Sequence, residues 1–203
     1  MADLMQDSVS TNELTDRGVK SEFSIVPTKL VPFAVLVIVG LIISIAYNSR
    51  WALDFYHVTG GGLWTAIDLF VGFVVGPIMG KMSVPARIEF SSKFMPKMLV
   101  IMPTLVTMTL GAGFQLARRL GNLSLGAPAH GWLVASFIVV GVMTLVALGV
   151  LEPANIAVLV ELKKEHPNGE VIGRLMKRFI YTAGITGAMQ IATLIIMTRV
   201  ATL

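Results

Sequence analysis

Long apolar stretches separated by short polar segments dominate the chain from residue 31 to its end. The hydrocarbon core of a bilayer is about 30 Å thick, and an α-helix needs about 20 mostly apolar residues to cross it. Five stretches approach or meet this length: Val31 to Tyr47, Tyr56 to Met79, Pro96 to Ala117, Gly131 to Leu151 and Phe179 to Met197. The pattern therefore predicts an all-α, polytopic membrane protein of about five transmembrane helices.

The polar segments predict the remaining organisation. Residues 1–25 hold no apolar run of the kind that a signal peptide needs, so we expect a short cytoplasmic tail there. Residues 26–203 are expected to form one helical membrane bundle. The fourth span is expected to continue past Pro153, which can kink it, as an amphipathic stretch from Asn155 to Lys164.

Basic residues concentrate on one predicted side of the membrane. The polar segments after the second and fourth spans contain Lys81, Arg87, Lys93, Lys97, Lys163, Lys164, Arg174, Lys177 and Arg178. Loops rich in lysine and arginine tend to stay in the cytoplasm. We therefore expect a multi-pass protein with a cytoplasmic N-terminus and a C-terminus outside.

Composition agrees with this topology and excludes several functions. The 203 residues are 55% hydrophobic and 14% charged, whereas soluble domains have about 25% charged residues. The lipid bilayer is therefore the expected partner, and the net charge of +4 lies in short loops, which argues against nucleic-acid binding. The absence of cysteine excludes disulfides, thiolate zinc sites and iron–sulfur clusters. No hydrolytic motif is present, so no catalytic residue is predicted.

The second predicted helix carries small and polar residues at spacings of three and four. They are His57, Gly61, Trp64, Asp68, Gly72 and Gly76. This face is expected to point into the bundle, where the glycines permit close helix packing or leave space for a flat ligand. Asp68 falls near the predicted membrane midplane, where a carboxylate costs at least about 2.5 kcal/mol unless it is protonated or partnered. It either bonds another helix or handles a proton or ligand.

The fourth predicted helix repeats this pattern more loosely. His130 stands at its start and Glu152 at its end, with Val134, Phe137, Gly141, Thr144 and Leu148 between them. Because the second and fourth helices run in the same direction, His57 and His130 are expected at similar depth. Two imidazoles at one level could ligate one metal, although a histidine at an interface can also serve only as a hydrogen-bonding group.

Two further groups could contribute to a site. Gln115, Arg118 and Arg119 end the third predicted helix at the level of the histidines, where they could hold the carboxylates of a haem or anchor the helix to lipid headgroups. Met95, Met98 and Met102 form a stripe whose thioethers suit Cu(I) or a haem axial position, or simply fill the core.

The segment from Phe55 to Ala117 carries a recognisable series of motifs, reading FYHVTGGGLWTAIDLFVGFVVGPIMGK, PARIEF, FMPKMLVIMPTL and TLGAGFQLA. It resembles prokaryotic membrane proteins of unknown function related to the CopD copper-resistance proteins and to HemJ, a haem-binding protoporphyrinogen oxidase. Those proteins share an opening helix with His and Trp, a basic loop and a four-helix core. The resemblance implies a core of helices two to five, a prokaryotic plasma membrane, and His57 as a haem ligand.

The resemblance does not extend to every functional residue. The HemJ family uses a lysine near the start of its third core helix, where this chain has Trp132, Ala135 and Ser136. The resemblance therefore implies the scaffold of a haem protein without the oxidase reaction.

Three functions are carried forward. The first is a b-type haem protein for electron transfer, or an accessory subunit of a redox complex, with His57 and His130 as ligands beside Gly61 and Trp64. The second is handling of copper or another metal, with His57, Asp68 and the methionines as steps along a path. The third is a structural subunit of a larger assembly or homo-oligomer.

Overall fold

The computed structural model describes residues 24–203, and over that range the chain is helical and contains no strand. The helices in order are α1 (Val31–Ala46), α2 (Arg50–Lys81), α3 (Val84–Arg119), α4 (His130–Leu162) and α5 (Gly169–Ala201). Helices α2 to α5 are long and apolar enough to span a membrane, whereas α1 is a shorter apolar helix of 16 residues. The predicted class is confirmed, with four long spans and an N-terminal helix. The predicted tail lies almost entirely outside the described residues.

The long helices extend well beyond the apolar spans that the sequence predicts. Helix α3 begins at Val84 rather than Pro96, and α5 begins at Gly169 rather than Phe179. Hydropathy detects only the part of a helix that can dissolve in lipid. The added turns are amphipathic and bury side chains such as Ile172 in the bundle, so the helices continue through them.

Glycines set the closest contact between α2 and α5, which run antiparallel. A Cβ atom added to Gly72 would lie 2.4 Å from the Cα atom of Gly184. No side chain fits at that distance, so the two backbones meet directly there. The predicted role of Gly72 in close helix packing is therefore confirmed.

Helix α4 divides into two parts at a π-helical turn, Ala147–Leu151. The part after the turn, Glu152–Leu162, packs against both α3 and α5, and it confirms the predicted continuation past Pro153. The part before it, His130–Val146, packs mainly against α5. This first part of α4 has little contact with α2 or α3. A cleft therefore remains between it and those two helices.

Candidate functional site

The cleft contains a cavity that we call the His57 cavity. Its volume is about 500 Å³, and all four long helices line it, through residues that include His57, Gly61, Trp64, Gly113, Phe137 and Met143. Ligand and cofactor sites usually have volumes of about 300 to 1,000 Å³ and mostly apolar walls. The predicted group His57, Gly61 and Trp64 thus lies together on a cavity of ligand size.

The His57 side chain is held in one orientation by α3. Its Nδ1 atom lies 2.9 Å from the carbonyl oxygen of Thr109. A carbonyl can only accept a hydrogen bond, so Nδ1 carries the proton and Nε2 keeps a lone pair. A Cβ atom on Gly113 would lie 2.5 Å from Nδ1, so glycine at that position makes room for the ring. Metal-ligating histidines are typically oriented in this way.

His130 is not among the residues that line the His57 cavity. It is the first residue of α4, and its Nδ1 atom lies 3.4 Å from the carbonyl oxygen of Asn122 in the preceding loop. His57, by contrast, lies about 10 Å along α2 from its start at Arg50. The structure therefore brings one of the two predicted imidazoles to the cavity, and leaves His130 at the loop.

The polar residues at the C-terminal end of α3 form two groups with different surroundings. Gln115 Nε2 donates to Asn48 Oδ1 at 3.3 Å, and the guanidinium of Arg119 donates to the carbonyl oxygen of Asn48. These two hydrogen bonds attach the turn between α1 and α2 to the end of α3. Arg118 is exposed and lies one helical turn beyond Phe114, which lines the His57 cavity. Arg118 is therefore the cation on the cavity side of this helix end.

A second cavity, which we call the carboxylate cavity, has a volume of about 200 Å³. Asp68 of α2 and Glu152 of α4 both line it, and Trp64 lines both cavities. The sequence placed these two acids on separate helices without relating them to each other. The folded chain brings them to one space.

Asp68 is bound firmly to α5. Only 2% of the residue is exposed. Its Oδ2 atom accepts a hydrogen bond of 3.0 Å from Thr186 Oγ1 and one of 2.8 Å from Gln190 Nε2. The predicted bond between Asp68 and another helix is confirmed, and a role in proton or ligand handling stays a prediction.

Glu152 has a different environment, although it lines the same cavity. It is half-buried, and no hydrogen bond or ion pair of its side chain occurs in residues 24–203. Its backbone N–H bonds the carbonyl oxygen of Ala147 across the π-helical turn. Partial burial of an ionisable side chain without a partner is costly, which makes Glu152 a candidate for function.

The residues of α4 that are buried by packing are not those of the stripe noted in the sequence. The structure buries Leu133, Ser136 and Met143. Of the predicted stripe, Val134, Phe137, Gly141 and Leu148 are exposed, while His130, Thr144 and Glu152 are half-buried. Phe137 of this stripe lines the His57 cavity, and Thr144, Leu148 and Glu152 line the carboxylate cavity, so these side chains are accessible because they face open space rather than the packed contact with α5.

The methionine stripe belongs to the packed interior. Met95, Met98 and Met102 are buried, and of the three only Met102 lines one of the two cavities, the carboxylate cavity. No group of three or more His, Asp or Glu side chains suited to a metal ion occurs in the part of the chain that the structure describes.

The sequence analysis missed Thr109, Gly113, Thr186 and Gln190. A signal for the last two was present, because they are polar residues four apart in an otherwise apolar span and therefore share a helix face. Thr109 acts through its backbone and Gly113 through its missing side chain, and neither property is visible in a sequence. Only the packing of α2 on α3 reveals their contact with His57.

Comparisons with family models, curated proteins and solved structures gave no match for this chain.

Proposed function

We propose that the His57 cavity binds haem b and that the protein is a membrane-embedded b-type haem protein, working in electron transfer or as an accessory subunit of a redox complex. The observation that carries this proposal is the orientation of His57. Its Nδ1–H is committed to the Thr109 carbonyl, so the Nε2 lone pair remains for a ligand on the cavity side.

The scarcity of protein donors favours haem over a bare metal ion. A porphyrin supplies four nitrogen ligands itself, so the protein has to add only one or two axial ligands. A copper or zinc ion bound by protein alone needs about three or four donors. A single imidazole on an apolar cavity therefore suits haem iron, which the porphyrin already holds, better than a free metal ion. Copper handling is the weaker alternative.

The walls of the cavity suit a flat, apolar ring. Gly61 and Gly62 have no side chains, so they leave space on the α2 side of the cavity. A Cβ atom on Gly62 would meet nothing within 4 Å. Met197 of α5 lines the same cavity. His57 lies about 20 Å along α2 from Gly72, and Met197 lies about 20 Å along α5 from Gly184. Because Gly72 and Gly184 are in contact, His57 and Met197 are at similar height in the bundle. Met197 is thus a candidate second axial ligand.

Haem b also carries two carboxylates, and these need cations near the rim of the site. No lysine or arginine lines the cavity itself. Arg118 lies one turn beyond Phe114 at the exposed end of α3, where an arginine can pair with a propionate. When bound, haem would supply one-electron chemistry, and this chain would hold it and exclude water from it.

The test is the haem content of purified protein in detergent, measured by visible absorbance and by extraction of the porphyrin. We expect the wild-type protein to contain about one haem per chain, and His57→Ala to lose it. His130→Ala is the matched control, because this histidine lies outside the cavity, and it should keep the haem. Arg118→Gln should weaken binding without abolishing it.

Each other result has a defined meaning. Unchanged haem in His57→Ala would remove this residue from the site and overturn the proposal. Loss of haem in His130→Ala alone would make that residue the ligand. Protein that contains metal but no porphyrin would favour metal handling, and protein with neither, co-purifying with other subunits, would favour the structural role.

The orientation of the chain is part of the proposal. The basic loops support a cytoplasmic N-terminus and an external C-terminus in a prokaryotic plasma membrane. Because the chain has no cysteine, a single cysteine introduced near Asn122 or near Glu165 can be labelled without background. A membrane-impermeant thiol reagent applied from outside should label the first position and not the second.

A further inference from the structure

We propose that Asp68 and Glu152 form a proton-binding site inside the membrane, in which one exchangeable proton is shared between the two carboxyl groups. Asp68 and Glu152 both line the carboxylate cavity and neither lines the His57 cavity, whereas Gln190, which bonds Asp68, lines the His57 cavity. Four observations support it.

The first is the absence of a counter-charge. Among the residues that line the carboxylate cavity, α2 contributes Asp68 and α4 contributes Glu152, whereas α3 and α5 contribute no titratable group. Neither carboxylate forms an ion pair in the part of the chain that the structure describes. Two like charges that face one small cavity at membrane depth strongly disfavour each other, so one of the groups retains a proton.

The second observation is an acceptor without a donor. Gln190 is 4% exposed, and its Nε2 atom donates to Asp68 Oδ2 while its Oε1 atom has no partner. A buried acceptor without a partner is costly. An amide and a protonated carboxyl can pair through two hydrogen bonds, in which the amide N–H donates to one oxygen and the acid O–H donates to the amide oxygen. A proton on Asp68 would therefore supply the missing donor for Gln190.

The third observation concerns Asn155, which lies three residues after Glu152 and thus on the same helix face. It is fully buried, and both polar atoms of its side chain lack a partner. Buried polar atoms of this kind are usually satisfied by water.

The fourth observation is that two helices have a π-helical turn next to these acids and a third helix has a proline on the cavity wall. Helix α2 has a π-helical turn at Val71–Val75, just after Asp68, and α4 has one at Ala147–Leu151, just before Glu152. Helix α3 has Pro103 on the cavity wall. Irregular backbone at membrane depth is tolerated where it lines a cavity, and π-helical turns occur often at functional sites.

The chemical step is a proton transfer. The O–H bond of one carboxyl breaks, an O–H bond forms on water or on the other carboxylate, and the released group keeps the electron pair and the negative charge. No oxidant or reductant is required. Threonine hydroxyls from Thr107 and Thr144 also line the cavity and can hydrogen-bond to such a water.

Infrared difference spectroscopy on the full chain in lipid tests the site, because a protonated carboxyl has a C=O band that shifts in heavy water. We expect wild-type protein to show this band at neutral pH and to lose it as the pH rises. In Asp68→Asn and in Glu152→Gln the remaining carboxyl should lose its proton at a pH lower by about one unit or more, because the neighbouring negative charge is gone. The control Glu165→Gln, an exposed loop residue, should behave like the wild type.

Two results would overturn the proposal. One is the absence of a protonated carboxyl band at neutral pH in wild-type protein. The other is a band whose pH dependence is the same in wild type, Asp68→Asn and Glu152→Gln, since the two groups would then not share a proton. Haem content measured on the same samples separates this outcome from a failure of the haem proposal. Folding is checked by circular dichroism, and asparagine at position 68 keeps an acceptor for Thr186.

Discussion

The His57 cavity and the carboxylate cavity lie side by side in one cleft and share Trp64, yet they differ in chemistry. The first is larger, has glycines and apolar side chains on its walls, and presents one imidazole whose orientation is set by a backbone carbonyl. The second is smaller and presents two acids. The first suits a flat apolar ligand, and the second suits a proton and water.

This difference shows how polar groups are used inside a membrane bundle. Asp68 is tied to α5 by two hydrogen bonds, so it contributes to the association of the helices. Glu152 has no such bond and its burial is unfavourable. A polar residue with partners can be explained by structure alone, whereas one without partners needs another explanation. Four substitutions, in order of decreasing effect, test the helix packing, the orientation of His57 and the contrast between the two acids.

Gly72→Ala is expected to have the largest effect, a loss of about 3 kcal/mol in the free energy of unfolding, because its Cβ atom would strike the backbone of Gly184. Gly62→Ala, in the wall of the His57 cavity, is the control, since its Cβ atom would meet nothing within 4 Å. Unfolding in detergent followed by circular dichroism measures both. Equal effects would mean that the two glycines do not differ as the structure indicates.

Gly113→Ala is expected to weaken haem binding about tenfold to a hundredfold while the fold is kept. The new Cβ atom would lie 2.5 Å from His57 Nδ1, so the ring must move and lose its bond to Thr109. Haem titration of the purified protein measures the affinity. Gly141→Ala on α4, which meets nothing within 4 Å, is the control. Wild-type affinity in Gly113→Ala would show that the orientation of His57 is unimportant.

Asp68→Ala is expected to destabilise the protein by about 2 kcal/mol, because Gln190 Nε2 would lose its acceptor in a buried position. Thr186 would lose less, since its hydroxyl also bonds the carbonyl oxygen of Thr182. The measurement is again unfolding in detergent. Asp68→Asn should recover most of the loss, and a failure to do so would indicate that the negative charge itself is needed for stability.

Glu152→Gln is expected to change the free energy of unfolding by no more than about 0.5 kcal/mol, because the side chain has no partner to lose. The same unfolding experiment as for Asp68→Ala gives a direct comparison. A loss as large as that of Asp68→Ala would mean that Glu152 has a structural role. The contrast between the two acids would then be wrong.

The inward stripe of α2 could be predicted from sequence, since His57, Trp64 and Asp68 recur at helical spacing and the structure buries or half-buries each of them. The looser stripe of α4 is less buried, and Phe137, Thr144, Leu148 and Glu152 of it line the two cavities instead of a packed contact. Both patterns have the period of a helix. They differ because α2 has neighbours along its whole length, whereas the first part of α4 packs mainly against α5.

The sequence by itself determined the helical class and a multi-pass arrangement of about five apolar helices, because transfer of an apolar segment into lipid depends on the segment alone. Tertiary structure decided which helices meet, and so which residues share a cavity. Asp68 and Gln190, far apart in the chain, are joined by the packing of α2 on α5, while His130 is separated from the His57 cavity. Lateral packing among equally apolar helices depends on small residues and interhelical hydrogen bonds, and hydropathy carries no information about either.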